Sequence, residues 1–265
     1  MVENWRADDA PIVASAAHHA AGHPTTGRGK AMKLLVATRN KKKLGELARL
    51  LEGAGVEGVE LLSIDDVDEY PERPEDGRTF EANALIKAHD GADATGLPCL
   101  ADDSGLSVDE LNGMPGVLSA RWSGGHGDDA ANNALLLGQL RDIPDNRRGA
   151  SFVSSVVLVV PGAGEVGDGV APDSGDGDLV LSFHGEWRGR VLDEERGDGG
   201  FGYDPLFVPR EEDSRVKAGR DVDELGADAR TAAQLTPDEK DAISHRGRAL
   251  RQLVPELARL ARTLG

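Results

Sequence analysis

The run Asp102-Asp103-Ser104-Gly105 is the part of the sequence most suited to chemistry, because two carboxylates and a hydroxyl directly follow an apolar segment, residues 97–101. The apolar segment predicts a short buried strand. Carboxylates at the end of a buried strand need a positive partner, and a divalent cation is a natural one. Asp, Ser and Gly are also ordinary turn residues. Taken alone, the run therefore predicts a turn in which Gly105 lets the backbone bend sharply.

A basic cluster, Lys41-Lys42-Lys43, stands where a helix is predicted to begin. Residues 33–38 predict a strand, Asn40 is a suitable helix cap, and the leucine spacing over 41–51 is helical. Helix N-termini bind anions, although their first turns usually carry acidic residues. The cluster is therefore consistent either with an anion site or with a solvated basic face.

Further polar candidates come late in the chain: Tyr203, Asp204, Lys240, His245 and Arg246. The last three follow a strong helix start at Thr236-Pro237. Within that helical pattern Ser244 is predicted to re-cap the helix locally, and Pro255 to kink or restart it.

Together these residues combine carboxylates with an anion-binding set of lysines, an arginine and hydroxyls. Oxygen ligands without cysteine clusters or paired histidines favour Mg²⁺ or Mn²⁺ over zinc. Mg²⁺ beside basic residues is the usual arrangement for phosphoryl chemistry. The residues alone therefore predict a magnesium-dependent enzyme acting on a phosphate ester or anhydride. For Lys87, within a predicted helix over 80–94, the simplest interpretation is an ion pair with Glu81 or Asp90.

Strands interleaved with helices, and a central hairpin, predict an α/β or α+β fold with a mixed sheet. Residues 1–31 are predicted to be a disordered extension, or to precede a functional start at Met32. Segments 161–178 and 210–230 are predicted to be surface insertions in a domain spanning 32–265.

Charge and composition exclude several classes of protein. The net charge of −17 argues against nucleic-acid or anionic-membrane binding, although a small anion in a locally basic pocket is compatible with it. The single cysteine, Cys99, excludes an intramolecular disulfide. No apolar run is long enough for a membrane span and no signal peptide is evident, so a cytoplasmic protein is expected.

Six stretches, in order over about residues 33–262, resemble the inosine triphosphate pyrophosphatase family. They are 35–40 with Lys43 and Glu46; 79–84 with Lys87 and Ala88; 101–106; Pro115-Gly116 with 119–121; 199–205; and Leu235-Thr236 with Glu239-Lys240 and 243–247. The resemblance implies hydrolysis of ITP, dITP and XTP to the monophosphate and pyrophosphate, which clears deaminated purines from the nucleotide pool. It also implies a Mg²⁺ requirement with Mn²⁺ as a substitute, a homodimer, and an elongated two-lobed fold around a long mixed sheet with the active site in the cleft.

The resemblance also implies roles for individual residues. Asp103 would be the catalytic carboxylate and, with Glu75, a metal ligand; Asp102 would be a supporting carboxylate. The substrate-binding residues would be Thr38, Arg39, Asn40, Lys41, Lys42 and Lys43 on the triphosphate; Ser104; Phe201, Gly202, Tyr203 and Asp204 around the base; and Lys240, His245 and Arg246 closing over both. Gln234 departs from the glutamate usual in the family.

Two alternatives stay open on sequence grounds. One is a Maf-like pyrophosphatase acting on other modified nucleotides. The other is a nucleotide-binding protein without turnover, against which the intact Asp102-Asp103 pair and Lys43 argue.

Overall fold

The protein was analysed as a computed structural model that describes residues 31–163, 177–217 and 229–265. Its strands are β1 (Met32–Val36), β2 (Val59–Leu62), β3 (Cys99–Val108), β4 (Gly149–Val160), β5 (Leu179–Val191) and β6 (Phe207–Pro209). Its α-helices are α1 (Lys41–Gly53), α2 (Phe80–Thr95), α3 (Asp129–Gln139), α4 (Arg210–Lys217), α5 (Pro237–Ile243) and α6 (His245–Leu264). The predicted mixed α/β fold is confirmed.

The strands form one mixed sheet in the order β2-β1-β3-β4-β5-β6. β1 pairs in parallel with β2 and β3, whereas β3, β4, β5 and β6 pair antiparallel in succession. At one end of the long strands, α1 and α6 cover one face and α2 packs against the other. At the other end, a second apolar cluster gathers around Trp187 and Phe207. The long central strands therefore connect two cores, and the site described below lies between them.

The run Asp102-Asp103-Ser104-Gly105 is not a turn, so that prediction is wrong. It lies inside β3, where ten successive residues pair with β4, and Asp103 faces Ser155 across the ladder. This pairing supplies the backbone hydrogen-bond partners that a turn would otherwise have to provide locally. Gly105 is needed for a close approach rather than a bend, because a Cβ there would overlap the hydroxyl of Ser119.

Alternation along β3 separates the two aspartates. Successive side chains of a strand point to opposite faces of the sheet. Asp102 and Ser104 therefore face α1 and α6, and Asp103 faces α2. Two residues that are adjacent in sequence thus belong to two different clusters.

Several local predictions are confirmed. Asn40 caps α1, its side chain accepting a hydrogen bond from the Lys42 amide. Ser244 ends α5 and caps α6 by accepting from the Gly247 amide. The predicted restart at Pro255 is wrong, because Pro255 lies within the continuous helix α6.

The predicted extension and insertions fall largely outside the described residues. Of residues 1–31 the structure describes only residue 31, and residues 164–176 and 218–228 are likewise outside it. Helix α4 covers the start of the segment 210–230. Its Glu212 is buried, and Arg230 donates to it, which ties both ends of that segment together. Among the helices that the structure describes, none has the length and apolar character required to cross a bilayer.

Candidate active site

Asp102 is the anchor of a buried charge cluster on the α1/α6 face of the sheet. The Lys43 ammonium donates to Asp102 Oδ2 at 2.8 Å, and Arg246 Nε donates to the same oxygen at 3.1 Å. Arg246 also donates to Ser104 Oγ at 3.1 Å and reaches Glu46 at 3.4 Å. The Asp102 side chain is 11% exposed and that of Arg246 only 6%. Helices α1 and α6 are thus joined to β3 through one carboxylate.

The charges in this cluster fix its ionisation. Burial alone would raise the pKa of Asp102, but Lys43, Arg246 and Lys87 outweigh that effect and hold it well below its usual range. Burial lowers the pKa of Lys43, an effect that Asp102 partly offsets. Asp102 is therefore ionised, and its carboxylate holds the cations of Lys43 and Arg246 in place.

Asp103 belongs to a second cluster, on the α2 face. Its Oδ2 accepts from the Asn83 amide at 3.0 Å, and its Oδ1 lies 3.9 Å from the Lys87 ammonium. The same ammonium lies 3.5 Å from a Glu75 carboxylate oxygen and donates to the Asp102 carbonyl at 2.7 Å. The two predicted metal ligands therefore flank one lysine.

The electrostatics of Asp103 differ from those of Asp102. Burial raises its pKa, Lys87 and Asn83 oppose this, and the neighbouring carboxylates of Glu75 and Asp102 add to the rise. Asp103 is thus a more basic carboxylate than Asp102, because Lys87 and Asn83 do not fully offset the effect of burial on its charge.

Lys87 does not pair with Glu81 or Asp90, so that expectation was wrong. Asn83 was not predicted as a site residue, but its side-chain carbonyl oxygen accepts from the Gly77 amide at 2.8 Å and holds the loop next to Glu75. A signal was available, since Asn83 and Lys87 are four residues apart and therefore share one helix face. Lys43 and Glu46, which are three residues apart, likewise share one face of α1.

A cleft of about 440 Å³ opens beside the Asp102 cluster. Ten predicted site residues line it: Lys41, Lys42, Ser104, Phe201, Gly202, Tyr203, Asp204, Lys240, His245 and Arg246. Lys43 instead lines a small void of about 20 Å³ next to Asp102 and Arg246. The predicted substrate residues from the two halves of the chain therefore meet around one cleft.

The segment that precedes α1 contributes mainly backbone and capping groups. Thr38 Oγ1 accepts from the Asn40 amide at 3.1 Å, while Arg39 pairs with Glu72 at the surface. Lys42 reaches across to the Gly200 carbonyl at 3.3 Å. Of the residues predicted for the triphosphate, Lys41 and Lys42 line the cleft itself.

Phe201 presents an exposed aromatic ring to the cleft. It is 41% exposed, with the Lys240 ammonium 5.0 Å and the Arg246 guanidinium carbon 5.9 Å from the ring centroid. Buried Asp204 pairs with Lys240 and accepts from the Phe201 amide at 2.9 Å. An open ring flanked by two cations suits a flat, polar aromatic ligand.

Tyr203 is buried and does not offer its hydroxyl to the cleft. The hydroxyl donates to the Ser119 carbonyl at 2.9 Å, and burial raises its pKa. Its ring belongs to the second core. Tyr203 therefore shapes the wall of the cleft through packing.

His245 is buried and neutral. Its ring stacks on Phe152 with centroids 5.0 Å apart. Burial, and then the charges of Arg246 and Lys240, hold the pKa of His245 well below its usual range. Its Nδ1 has no hydrogen-bond partner among the described residues, although the residue lines the cleft. His245 therefore contributes an uncharged imidazole to the wall of the cleft, and its unpaired Nδ1 is buried.

The neutral state of His245 predicts a pH effect on stability. A histidine whose folded pKa lies below its unfolded value near 6.5 contributes stability that is present above pH 6.5 and lost as pH falls below it. We expect the free energy of unfolding to fall by about 1.4 kcal/mol per pH unit from this residue. Urea unfolding at pH 7.5, 6.5 and 5.5 measures it. His245→Phe, which keeps a stacked ring, should flatten the slope, whereas exposed His126→Gln should not; equal slopes in all three proteins would contradict it.

Comparison with known proteins assigns the family. The model of the Ham1 family matches residues 34–256. The chain belongs to the Ham1 family. This agrees with the resemblance found in the sequence, since curated relatives carry the name dITP/XTP pyrophosphatase. One from Nocardia farcinica is 60% identical over 86% of this chain and 96% of its own length, and one from Mycolicibacterium paratuberculosis is 58% identical over 88% and 98%.

Solved Ham1-family structures share the fold. A nucleoside-triphosphatase described as a dITP/XTP pyrophosphatase from Mycobacterium abscessus is 57% identical, with a TM-score of 0.60 over 85% of this chain and 100% of that one. A HAM1 protein from Coxiella burnetii is 36% identical, with a TM-score of 0.68 over 86% and 99%. The Ham1 match thus covers the sheet and both charge clusters.

Proposed function

We propose that the protein is a nucleoside triphosphate pyrophosphatase that converts dITP, XTP and ITP into the monophosphate and pyrophosphate. The observation that carries the proposal is that Asp102 and Asp103 lie in two different clusters and that their pKa values are shifted in opposite directions. One aspartate immobilises the cations beside the cleft, while its neighbour retains a raised pKa next to Glu75. The exposed Phe201 ring and the cations beside the cleft match a substrate with both an aromatic base and a polyanionic tail.

The donor set near Asp103 fits the Mg²⁺ that we propose as cofactor. Asp103 and Glu75 supply carboxylate oxygens, the ligands that Mg²⁺ prefers, and both already lie within 4.0 Å of the Lys87 cation. When bound, Mg²⁺ would neutralise phosphate charge and polarise the scissile anhydride. Another group of potential ligands, His89, Asp93 and Asp178, contains neither residue, and exposed acidic groups often gather without an ion.

In the proposed mechanism, the residues around Asp103 prepare a water for attack on the α-phosphorus. Asp103 accepts the proton of that water, which its raised pKa favours. Asn83 and Lys87 fix the orientation of the carboxylate, and Lys87 supplies positive charge to the phosphate oxygens. Pyrophosphate leaves as the bond between the α-phosphorus and the bridging oxygen breaks.

The cleft beside the Asp102 cluster is proposed to select the base. The Phe201 ring stacks against it, and Arg246 stands nearby with three of its five N–H groups engaged by Asp102, Glu46 and Ser104. The remaining donors suit a 6-oxo group, an acceptor at the place where adenine has a donor. A site with donors rejects a base that leaves them unpaired.

The test is pyrophosphate release from dITP, ITP, XTP and the four standard NTPs, with and without EDTA. We expect kcat/KM for dITP, ITP and XTP to exceed that for ATP by about 100-fold or more, with loss of activity in EDTA. Comparable rates on ATP and dITP would overturn the selectivity. Tight dITP binding without pyrophosphate release would favour the nucleotide-binding alternative, and preference for a modified pyrimidine the Maf-like one.

We further propose that the protein acts as a cytoplasmic homodimer. Light scattering coupled to size-exclusion chromatography tests the dimer, and cell fractionation tests the compartment. A monomer across micromolar concentrations would contradict the assembly without affecting the proposed reaction.

A further inference from the structure

Helix α3 contacts the peptide groups on both sides of Gly202, the residue that follows Phe201. Asp129 Oδ2 accepts from the Gly202 N–H at 2.7 Å, and Asn133 Nδ2 donates to the Gly202 carbonyl at 3.2 Å. Asp129 and Asn133 are four residues apart and so lie on one face of the helix. One helix face therefore holds both backbone polar groups of a single loop residue.

These two side chains are not needed to form α3 itself. The cap of the helix is Asp128, which accepts from the Ala131 amide at 3.0 Å. Asp129 instead lines the cleft. Asn133 is 3% exposed, and its amide also donates to Glu195 at 2.8 Å, which fixes its orientation. Both side chains are thus directed at the loop rather than at their own helix.

Gly202 itself has a backbone conformation that few other residues adopt. Gly202 has a φ of 61°, a left-handed conformation that favours glycine. On its other side, the Phe201 amide is held by Asp204. Because Phe201 is exposed to 41%, its ring is only partly restrained by packing and its position depends on the backbone that carries it.

We propose that Asp129 and Asn133 are positioning residues for the purine site, which fix the Gly202 peptide and thereby hold the Phe201 ring against the base. The proposal rests on the proposed function, in which the base stacks on Phe201. The two residues act through the loop and do not touch the reacting atoms, so they affect binding of the nucleoside rather than the chemical step.

Asp129→Ala should therefore raise KM for dITP about tenfold, with kcat within about twofold, since it removes one charge-assisted hydrogen bond. Asp129→Asn keeps an acceptor oxygen and should restore most of the affinity. Asp128→Ala is the matched control on the neighbouring residue: it weakens the helix cap and lowers the melting temperature, but leaves KM unchanged.

Coupling to Phe201 separates positioning from a general structural effect. In a Phe201→Leu background, Asp129→Ala should leave KM unchanged, because there is no ring left to position. A tenfold increase in both backgrounds, or no increase in the wild-type background, would overturn the proposal.

The contacts of Asp129 and Asn133 with the Gly202 peptide form a clamp. Amide hydrogen exchange of the free protein tests this clamp independently of turnover. Asp129→Ala should accelerate exchange in the peptide containing residues 200–203, whereas Asp128→Ala should not. Unchanged exchange in Asp129→Ala would overturn the clamp. If the wild-type protein released no pyrophosphate from dITP, the proposed function would fail. The exchange data would still show whether Asp129 restrains the Gly202 peptide.

Discussion

Asp103→Asn should reduce pyrophosphate release by about 1,000-fold or more while leaving the fold intact. The amide keeps the size of the side chain but can neither accept the proton of the attacking water nor offer an anionic oxygen to a metal. Because burial disfavours the ionised form of Asp103, the variant should unfold at the same urea concentration as the wild-type protein, or a higher one. Steady-state assays on dITP and urea titrations measure the two effects.

Asp109→Asn is the matched control. Asp109 follows β3 directly and pairs with Arg188 at the surface, with 47% of its side chain exposed. It is expected to retain full activity. Substantial turnover in Asp103→Asn, or loss of both activity and structure, would remove Asp103 from the role proposed for it.

Asp102→Ala, unlike Asp103→Asn, should cause a large loss of stability. It leaves the ammonium of Lys43 and the guanidinium of Arg246 close together without the carboxylate that they share. Breaking a buried ion pair in this way costs about 3–5 kcal/mol. The folded pKa of Asp102 is lowered, so its contribution is present above the unfolded value near 3.9 and is lost only as pH falls below it.

Urea unfolding at pH 7.5 measures this loss, with Asp109→Ala as the comparison. That variant removes an exposed pair and should cost less than about 1 kcal/mol. Equal effects of the two substitutions would show that the Asp102 cluster does not stabilise the junction between β3, α1 and α6.

The sequence identifies most of the residues around the cleft but not their geometry. Asn40 and Ser244 could be predicted as caps because capping depends on residues within one turn. The conformation of Asp102-Asp103-Ser104 could not, because it is imposed by pairing with β4, some fifty residues away, which overrides local turn preference.

Roles that depend on tertiary contacts were the hardest to predict. Lys87 has acidic neighbours on its own helix, and local reasoning paired it with those. The fold brings Glu75 and Asp103 to it instead. His245 and Arg246 were identified as functional candidates, but only the structure separates a neutral, stacked imidazole from a guanidinium that joins three elements.

The alternation of side chains along β3 makes the site sensitive to phase as well as to composition. Inserting or deleting a single residue between Cys99 and Asp102 would rotate every following side chain to the opposite face. After a deletion Asp103 would take the place of Asp102 beside Lys43 and Arg246, and after either change Asp102 would lose contact with both. Such a change of register within the strand would remove both the ion pairs of Asp102 and the catalytic role of Asp103, although both aspartates would still be present. Length variation in this protein is therefore expected in loops, and not in this strand.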